Sequence, residues 1–211
     1  MIVRKNVMQK NANKQFLVII AGMPATGKST LAKKISLQLS APILEKDDIK
    51  EELFDTVGYK DLTEKRMLDR AATAVLLRCT EAILGSGDSL IIVNNFESNM
   101  SETVSSMIER CGSRAVTVFL GGDADVLHQR YVERDKRRSR HQGHTFIDRY
   151  PPLPGDDVDR SMTREYFRDR FENSGMADFK ICGARIEVDA TYPDKIDVDA
   201  LVGAIKAALE E

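Results

Sequence analysis

The sequence predicts a three-layer α/β/α domain built on a five-stranded, mainly parallel sheet. Three observations carry that expectation. The apolar runs at 16–21, 90–93 and 115–120 are unbroken rather than alternating, the pattern of strands covered on both faces. Helical repeats separate them, with Leu31, Ile35 and Leu39 in the first and Leu201, Ile205 and Leu209 in the last. Between the first strand and first helix stands Gly22-Met23-Pro24-Ala25-Thr26-Gly27-Lys28-Ser29-Thr30, which reads G-x-x-x-x-G-K-S and continues into Thr30. That pattern is a phosphate-binding loop, or P-loop, so the fold expected is the P-loop NTPase fold.

Taken in order, residues 1–15 are polar and read as a frayed lead-in, with a single domain over 16–211. After the P-loop helix, residues 41–46 form a short extended run ending at Asp47-Asp48, and 49–54 look helical. Met67, Ala71, Val75, Cys79 and Ile83 repeat every four residues and define the buried face of a long helix, stopped by Gly85-Ser86-Gly87-Asp88. Ser101 is expected to cap a helix running to Arg110. From Ala124 a helical pattern turns basic. The stretch 141–159 mixes Gly, Pro and charge without apolar period, which makes 134–160 the expected lid. A helix over 163–171, a short strand at 186–189 and the closing helix complete the chain.

Composition narrows the function. With 211 residues and a net charge of −2, the chain carries no global field towards nucleic acid or acidic membranes. No signal-length apolar segment precedes Phe16 and no run is long enough to span a bilayer. Three widely spaced cysteines, with Cys79 expected as a reduced core thiol, fit a soluble protein of the cytoplasm, a monomer or weak homodimer.

The P-loop supplies the first chemistry. Its glycines allow the backbone N–H groups to surround a polyphosphate, Lys28 reaches the terminal phosphates, and the Ser29 hydroxyl ligates Mg²⁺. ATP and Mg²⁺ are the expected cofactors. Ligands of open α/β sheets sit beyond the carboxyl ends of strands, so residues just after strands are the next candidates. Asp47 can accept a proton from an attacking hydroxyl or orient Mg²⁺, and Lys50, one turn on, can hold the acceptor. Alternatively Asp47 or Asp48 only caps the following helix. Asn94 and Asn95 leave the third strand, at a position where many nucleotide hydrolases carry an aspartate. This argues against a motor-type ATPase, and the Asn pair either binds substrate or satisfies a loop. Arg130, Arg134 and Arg138 recur every four residues and, with Arg140, can stabilise a migrating phosphoryl; the bland alternative is a solvated basic helix. His141 and His144 either grip phosphate or substrate, or form a surface turn. Residues 189–191 lie where P-loop kinases often contact adenine.

Together these residues resemble the P-loop kinases related to zeta toxins, chloramphenicol phosphotransferase and the polynucleotide 5′-kinase domain. More narrowly they are similar to the bacterial "ATP-binding protein, predicted kinase" group. The resemblance covers nearly the whole chain from Phe16 to Leu209. It rests on residues 22–30, on Lys46-Asp47-Asp48-Ile49-Lys50-Glu51, on Asn95-Phe96, and on Arg130 through His144. The string Arg140-His141-Gln142-Gly143-His144 resembles that group's R-H-P-G-H, with Gln142 in place of proline. The resemblance implies transfer of the ATP γ-phosphate to a hydroxyl, with Asp47 as base. Lys50 stands where the polynucleotide kinases place an arginine that contacts substrate phosphate, and a lysine lacks the bidentate fork. The acceptor expected is a small-molecule hydroxyl. A nucleic-acid 5′-hydroxyl ranks second, because that needs a basic groove with stacking aromatics and the chain has no Trp. A nucleotide switch without transferase activity is the reading from another class, though no N-K-x-D guanine signature follows the P-loop.

Overall fold

The computed structural model describes residues 15–137, 140–145, 147–156 and 161–210. Five strands, β1 (Phe16–Gly22), β2 (Ile43–Glu45), β3 (Leu90–Val93), β4 (Arg114–Gly121) and β5 (Ala184–Asp189), form one sheet in the order β2-β3-β1-β4-β5. Every neighbouring pair is parallel, so the sheet is wholly rather than mainly parallel. Among the described residues seven α-helices accompany the strands: α1 (Lys28–Leu39), α2 (Lys46–Val57), α3 (Leu62–Gly85), α4 (Ser101–Cys111), α5 (Ala124–Lys136), α6 (Arg164–Asn173) and α7 (Val198–Glu210).

The side-chain period of two explains the layering. On central β1, Leu17, Ile19 and Ala21 face one way, into a core with Leu76 and Leu84 of α3 and Val104 and Ile108 of α4. Val18 and Ile20 face the other way, against Leu31 and Ile35 of α1 and Leu201 and Ile205 of α7. Both faces of β1 are therefore apolar, which is why its sequence shows no alternation. With β2 and β3 on one side of β1 and β4 and β5 on the other, connections diverge at the carboxyl end of β1, where open sheets hold ligands.

Several expectations are corrected. Helix α3 exists, but its buried stripe is Ala72, Leu76, Thr80 and Leu84, one residue beyond the repeat expected. Met67 is 54% exposed, Val75 43%, and Cys79 is an exposed free thiol rather than a core one. The helix carries apolar residues on two adjacent faces (Val75-Leu76-Leu77, Ile83-Leu84), so four-residue spacing alone fits either. Ser101 does not cap α4. A 3₁₀ turn at Ser98–Met100 leads in, Met100 is the cap position, and the Ser101 hydroxyl accepts from the Lys180 N–H. Strand β2 stops at Glu45 and α2 begins at Lys46, three residues before the expected start. The lead-in 1–14 lies outside the described residues, and Gln15 already donates to the Cys111 carbonyl.

The α3 correction yields a test. Leu76→Ala should cost about 3 kcal/mol in urea unfolding, and Val75→Ala about 0.5 kcal/mol or less. The reverse ranking would restore the stripe expected from the four-residue repeat.

Candidate active site

The P-loop begins with a close approach that only glycine permits. Gly22 has φ +123°, and a Cβ there would fall 2.1 Å from the Leu120 carbonyl oxygen. The Met23 N–H donates to that same carbonyl at 3.1 Å, so β4 fixes where the loop departs. Ala25 and Gly27 both take left-handed backbone angles, φ +62° and +84°. Met23 and Ala25 are buried under the loop against Leu127 and Tyr131 of α5 and Phe167 of α6, which anchors it from below. Gly27 is the cap position of α1 and no side chain caps that helix. Its leading N–H groups and dipole therefore face the loop's concavity.

Lys28 folds back over this loop, its Nζ donating to the Gly22 and Met23 carbonyls at 3.1 and 2.5 Å. Burial pulls its pKa down to about 7; Asp47 opposes that pull, while Arg134, Lys46 and Arg140 reinforce it. A cavity of about 270 Å³ opens above, lined by the loop, Glu45, Asp47, Asn94, Asn95, Arg130, Arg134 and Arg140. Two expected candidate groups, the P-loop and the residues after strands, thus meet in one place. Asn94 is 6% exposed and its Oδ1 has no hydrogen-bond partner among the described residues.

Asp47 stands in the first turn of α2 and is not its cap. The cap position is Glu45, and no side chain caps the helix, so neither Asp47 nor Asp48 is explained as a helix stop. Burial alone would raise the Asp47 pKa; His144, Lys46, Arg140 and Lys50 outweigh it and hold the carboxyl below its ordinary range. Lys50 is engaged by a residue that sequence reasoning missed. Asp69 of α3 accepts Lys50 Nζ at 2.6 Å and Lys46 Nζ at 3.0 Å, and though burial opposes it, those two ammoniums hold its pKa down to about 2. No motif marks Asp69, because only the packing of α3 on α2 brings it there.

The arginines part company. Arg130 spends its guanidinium on main-chain carbonyls, Ala25 at 3.0 Å, Ala190 at 3.2 Å and Thr191 at 2.6 Å. It ties the P-loop to the loop leaving β5. Arg134, one turn on, lies over the Tyr131 ring with Nε and Nη2 buried and without partners among the described residues. Burial, then the Arg140 charge, lower its pKa. Arg140 stands 4.0 Å from Asp47 and 3.8 Å from Asp135, a second residue the sequence reading missed. Arg138 lies outside the described residues.

Residues 141–145 and 147–150 clamp onto α2 and the start of α3, and none of these described residues lines the cavity. Tyr59 and Tyr150 form an antiparallel bridge, and Asp55 accepts Tyr150 Oη at 2.6 Å and pairs with His141 Nε2 at 3.0 Å. Since His141 Nδ1 accepts from the Gly143 N–H at 3.0 Å, Nε2 carries the proton. Lys65 donates to the Thr145 carbonyl, and buried His144 meets Glu51 at 2.9 Å. Burial pulls the His144 pKa down, while the Asp47 carboxylate opposes that pull. His141 therefore serves the clamp, while His144 stands in the electrostatic field of Asp47. Gly143 is required here, since a Cβ would fall 2.2 Å from the Phe54 ring. Gln142 opens the 3₁₀ turn Gln142–His144, a first-turn position that also suits proline, so that exchange alters little.

Residues 17–153 match the model of the AAA domain family, well over half of the chain. The chain belongs to the AAA domain family. The AAA domain match runs from β1 through the clamp and contains every candidate residue from Gly22 to His144. A crystal structure from Chloroflexus aurantiacus, of a protein proposed to be a kinase, superposes with a TM-score of 0.77 at 27% identity, covering 93% of this chain and 99% of that one. Kti12 of Chaetomium thermophilum, solved with ADP-AlF3, shares the fold (TM-score 0.56, 15% identity, 92% and 98% covered). So does shikimate kinase from Bacteroides thetaiotaomicron (TM-score 0.51, 19% identity, 93% and 99% covered). Uncharacterized proteins of Mycobacterium tuberculosis and Mycobacterium bovis are 26% identical over 126 residues. That match covers 56% of this chain but a quarter of the length of those relatives. Among the described residues no helix is long and apolar enough to cross a membrane.

The clamp has a direct test. Gly143→Ala should cost about 2 kcal/mol by overpacking against Phe54, and Phe54→Leu in the same chain should return part of it. Thermal unfolding of the single and double variants reads both.

Proposed function

We propose that this protein is an ATP-dependent kinase that transfers the γ-phosphoryl group to the hydroxyl of a small-molecule acceptor. One observation carries the reading: a single cavity sets the P-loop and Lys28 opposite Asp47, with the guanidinium groups of Arg134 and Arg140 at its wall. Side chains present there fit a magnesium-bound polyphosphate. Buried Arg134 donors without hydrogen-bond partners among the described residues, a Lys28 ammonium hydrogen-bonded to carbonyls, and an uncapped helix end all suit an anion.

When bound, ATP would supply the phosphoryl group and Mg²⁺ would neutralise its developing charge. Residues 22–30 would hold the phosphates through backbone N–H groups and Lys28, and Ser29 would hold the metal. Asp47, kept ionised by its cationic neighbours, accepts the hydroxyl proton as the acceptor oxygen bonds to the γ-phosphorus and the bond to the departing ADP breaks. Arg134 and Arg140 donate to the oxygens of the migrating group, where charge-assisted bonds in a dry site are strongest. The acceptor lies between Asp47, Lys50 and the turn after β3, with Asn94 and Asn95 as polar contacts. Arg130 keeps the P-loop and the β5 loop in register. On this reading the protein is akin to zeta toxins, chloramphenicol phosphotransferase and polynucleotide kinases, a likeness supported by residues 46–51 and 140–144. Residues 16–211 make a single kinase domain with its lid at about 134–160.

Transfer of labelled γ-phosphate into a mixture of hydroxyl metabolites and short oligonucleotides tests it. Asp47→Asn should lower transfer about 10²- to 10⁴-fold, and Arg134→Ala about 10²- to 10³-fold, both with ATP binding retained. Label on oligonucleotide ends would move the acceptor to nucleic acid. Tight ATP binding with no labelled acceptor, and no effect of Asp47→Asn on any ATP turnover, would favour a nucleotide switch.

Lys28 gives a pH-dependent signature. Free Lys28, with its pKa pulled to about 7, is mostly neutral at about pH 8. Bound phosphate favours the ammonium and raises that pKa, so binding takes up protons. Calorimetry in buffers of different ionisation enthalpy should find uptake approaching about one proton per site. Binding with zero uptake, or with release, contradicts the assignment of Lys28.

A further inference from the structure

The end of β3 lacks a carboxylate, yet the cavity above it has one that neither the P-loop nor the Asp47 reading uses. Strands β2 and β3 pair in parallel with Glu45 opposite Val93, so the Glu45 carboxylate arises one strand over from Asn94. Glu45 and Asn94 line the same cavity. Ser29, the P-loop residue suited to a metal, lines that cavity with them. Helix capping does not explain Glu45: it occupies the cap position of α2, but its side chain makes no cap bond. Glu45 is half-buried and shares the cavity wall with Ser29 and Asp47, where a cation would meet all three. Independently, Asn94 presents a buried Oδ1 with no partner among the described residues, an acceptor suited to a water of a hydrated ion.

We propose that Glu45 is the metal-site carboxylate of this protein, supplied by β2 where β3 carries Asn94. Glu45 orients Ser29 and the water shell of a divalent cation beside the phosphates, and Asn94 Oδ1 accepts from the same shell. Asp47 is then free of the metal and available as the base. This inference rests on the kinase reading above, but it can fail alone.

The experiment compares wild type with Glu45→Gln, Glu45→Asp and Asp47→Asn. ATP affinity is measured by calorimetry in EDTA and with Mg²⁺, and Mn²⁺ in the ATP complex is followed by electron paramagnetic resonance. Glu45→Gln should bind metal-free ATP at least as tightly as wild type, since it removes a negative charge. Its gain in affinity on adding Mg²⁺ should fall about ten-fold or more, with an altered Mn²⁺ spectrum. Glu45→Asp should recover part of that gain, and Asp47→Asn should keep it while losing transfer. An undiminished Mg²⁺ gain and unchanged Mn²⁺ spectrum in Glu45→Gln would overturn the proposal while leaving the kinase intact. Loss of the gain in Asp47→Asn alone would hand the metal to Asp47. Failure of wild type to bind ATP at all would instead sink the kinase reading, and this inference with it.

Discussion

Like charges repel most where water is scarce, and the carboxyl edge of this sheet gathers Lys28, Lys46, Lys50, Arg134 and Arg140 within each other's fields. Burial holds Lys28, Lys50 and Arg134 below their ordinary pKa values. Carboxylates answer only part of this charge. Asp69 takes both Lys46 and Lys50, while Asp47 and Asp135 flank Arg140. Lys28 rests on carbonyls and Arg134 on the face of Tyr131, contacts that orient a cation without neutralising it. The imbalance is therefore local. It falls above the P-loop, and the sheet's two apolar cores supply the stability that tolerates it.

Two braced groups hold those charges. In one, Gly22 is pinned to Leu120, Met23 and Ala25 are packed on α5 and α6, and Arg130 joins the P-loop to the β5 loop. In the other, Tyr59, Asp55 and Glu51 of the α2–α3 region hold residues 141–145 and 147–150 through Tyr150, His141 and His144. Arg140 lies between them, facing Asp47 on α2 and Asp135 on α5. A side chain that ends in both groups couples the P-loop side of the cavity to the α2 side. Hydrogen bonds within each group keep the side chains around the cavity from drifting.

Legibility in the sequence followed the range of the interaction. Strands β1, β3 and β4 and helix α1 were readable because unbroken apolar runs and the P-loop are local statements. The buried face of α3 was not, since two adjacent apolar stripes differ only in which one meets the sheet. Helix α2 began early because nothing in Glu45-Lys46 distinguishes the last residue of a strand from the first of an uncapped helix. At the site, Asp47 and Lys28 stood in motifs, whereas Asp69 and Asp135 acquire their partners through tertiary packing alone. Glu45 stood two residues before Asp47 and carried a signal of another kind: strand pairing sets it opposite Val93, one residue before Asn94, which lacks a charge.

The arginine repeat shows how a correct period can still misassign atoms. Residues four apart on a helix share a face but are displaced by about one pitch, 5.4 Å, along its axis. At Arg130 that displacement puts the guanidinium level with the carbonyls of Ala25, Ala190 and Thr191, where it becomes a brace. At Arg134 the same face has passed those carbonyls, and the guanidinium meets only an aromatic ring and the cavity. A third turn would continue the series, but α5 ends at Lys136. The next described guanidinium at the cavity wall is Arg140, which arrives from the chain beyond the helix and approaches Asp47 on α2. Two cations from different directions enclose an anion better than three in a row on one face. The end of α5 is thus as much a part of the candidate site as the arginines it carries.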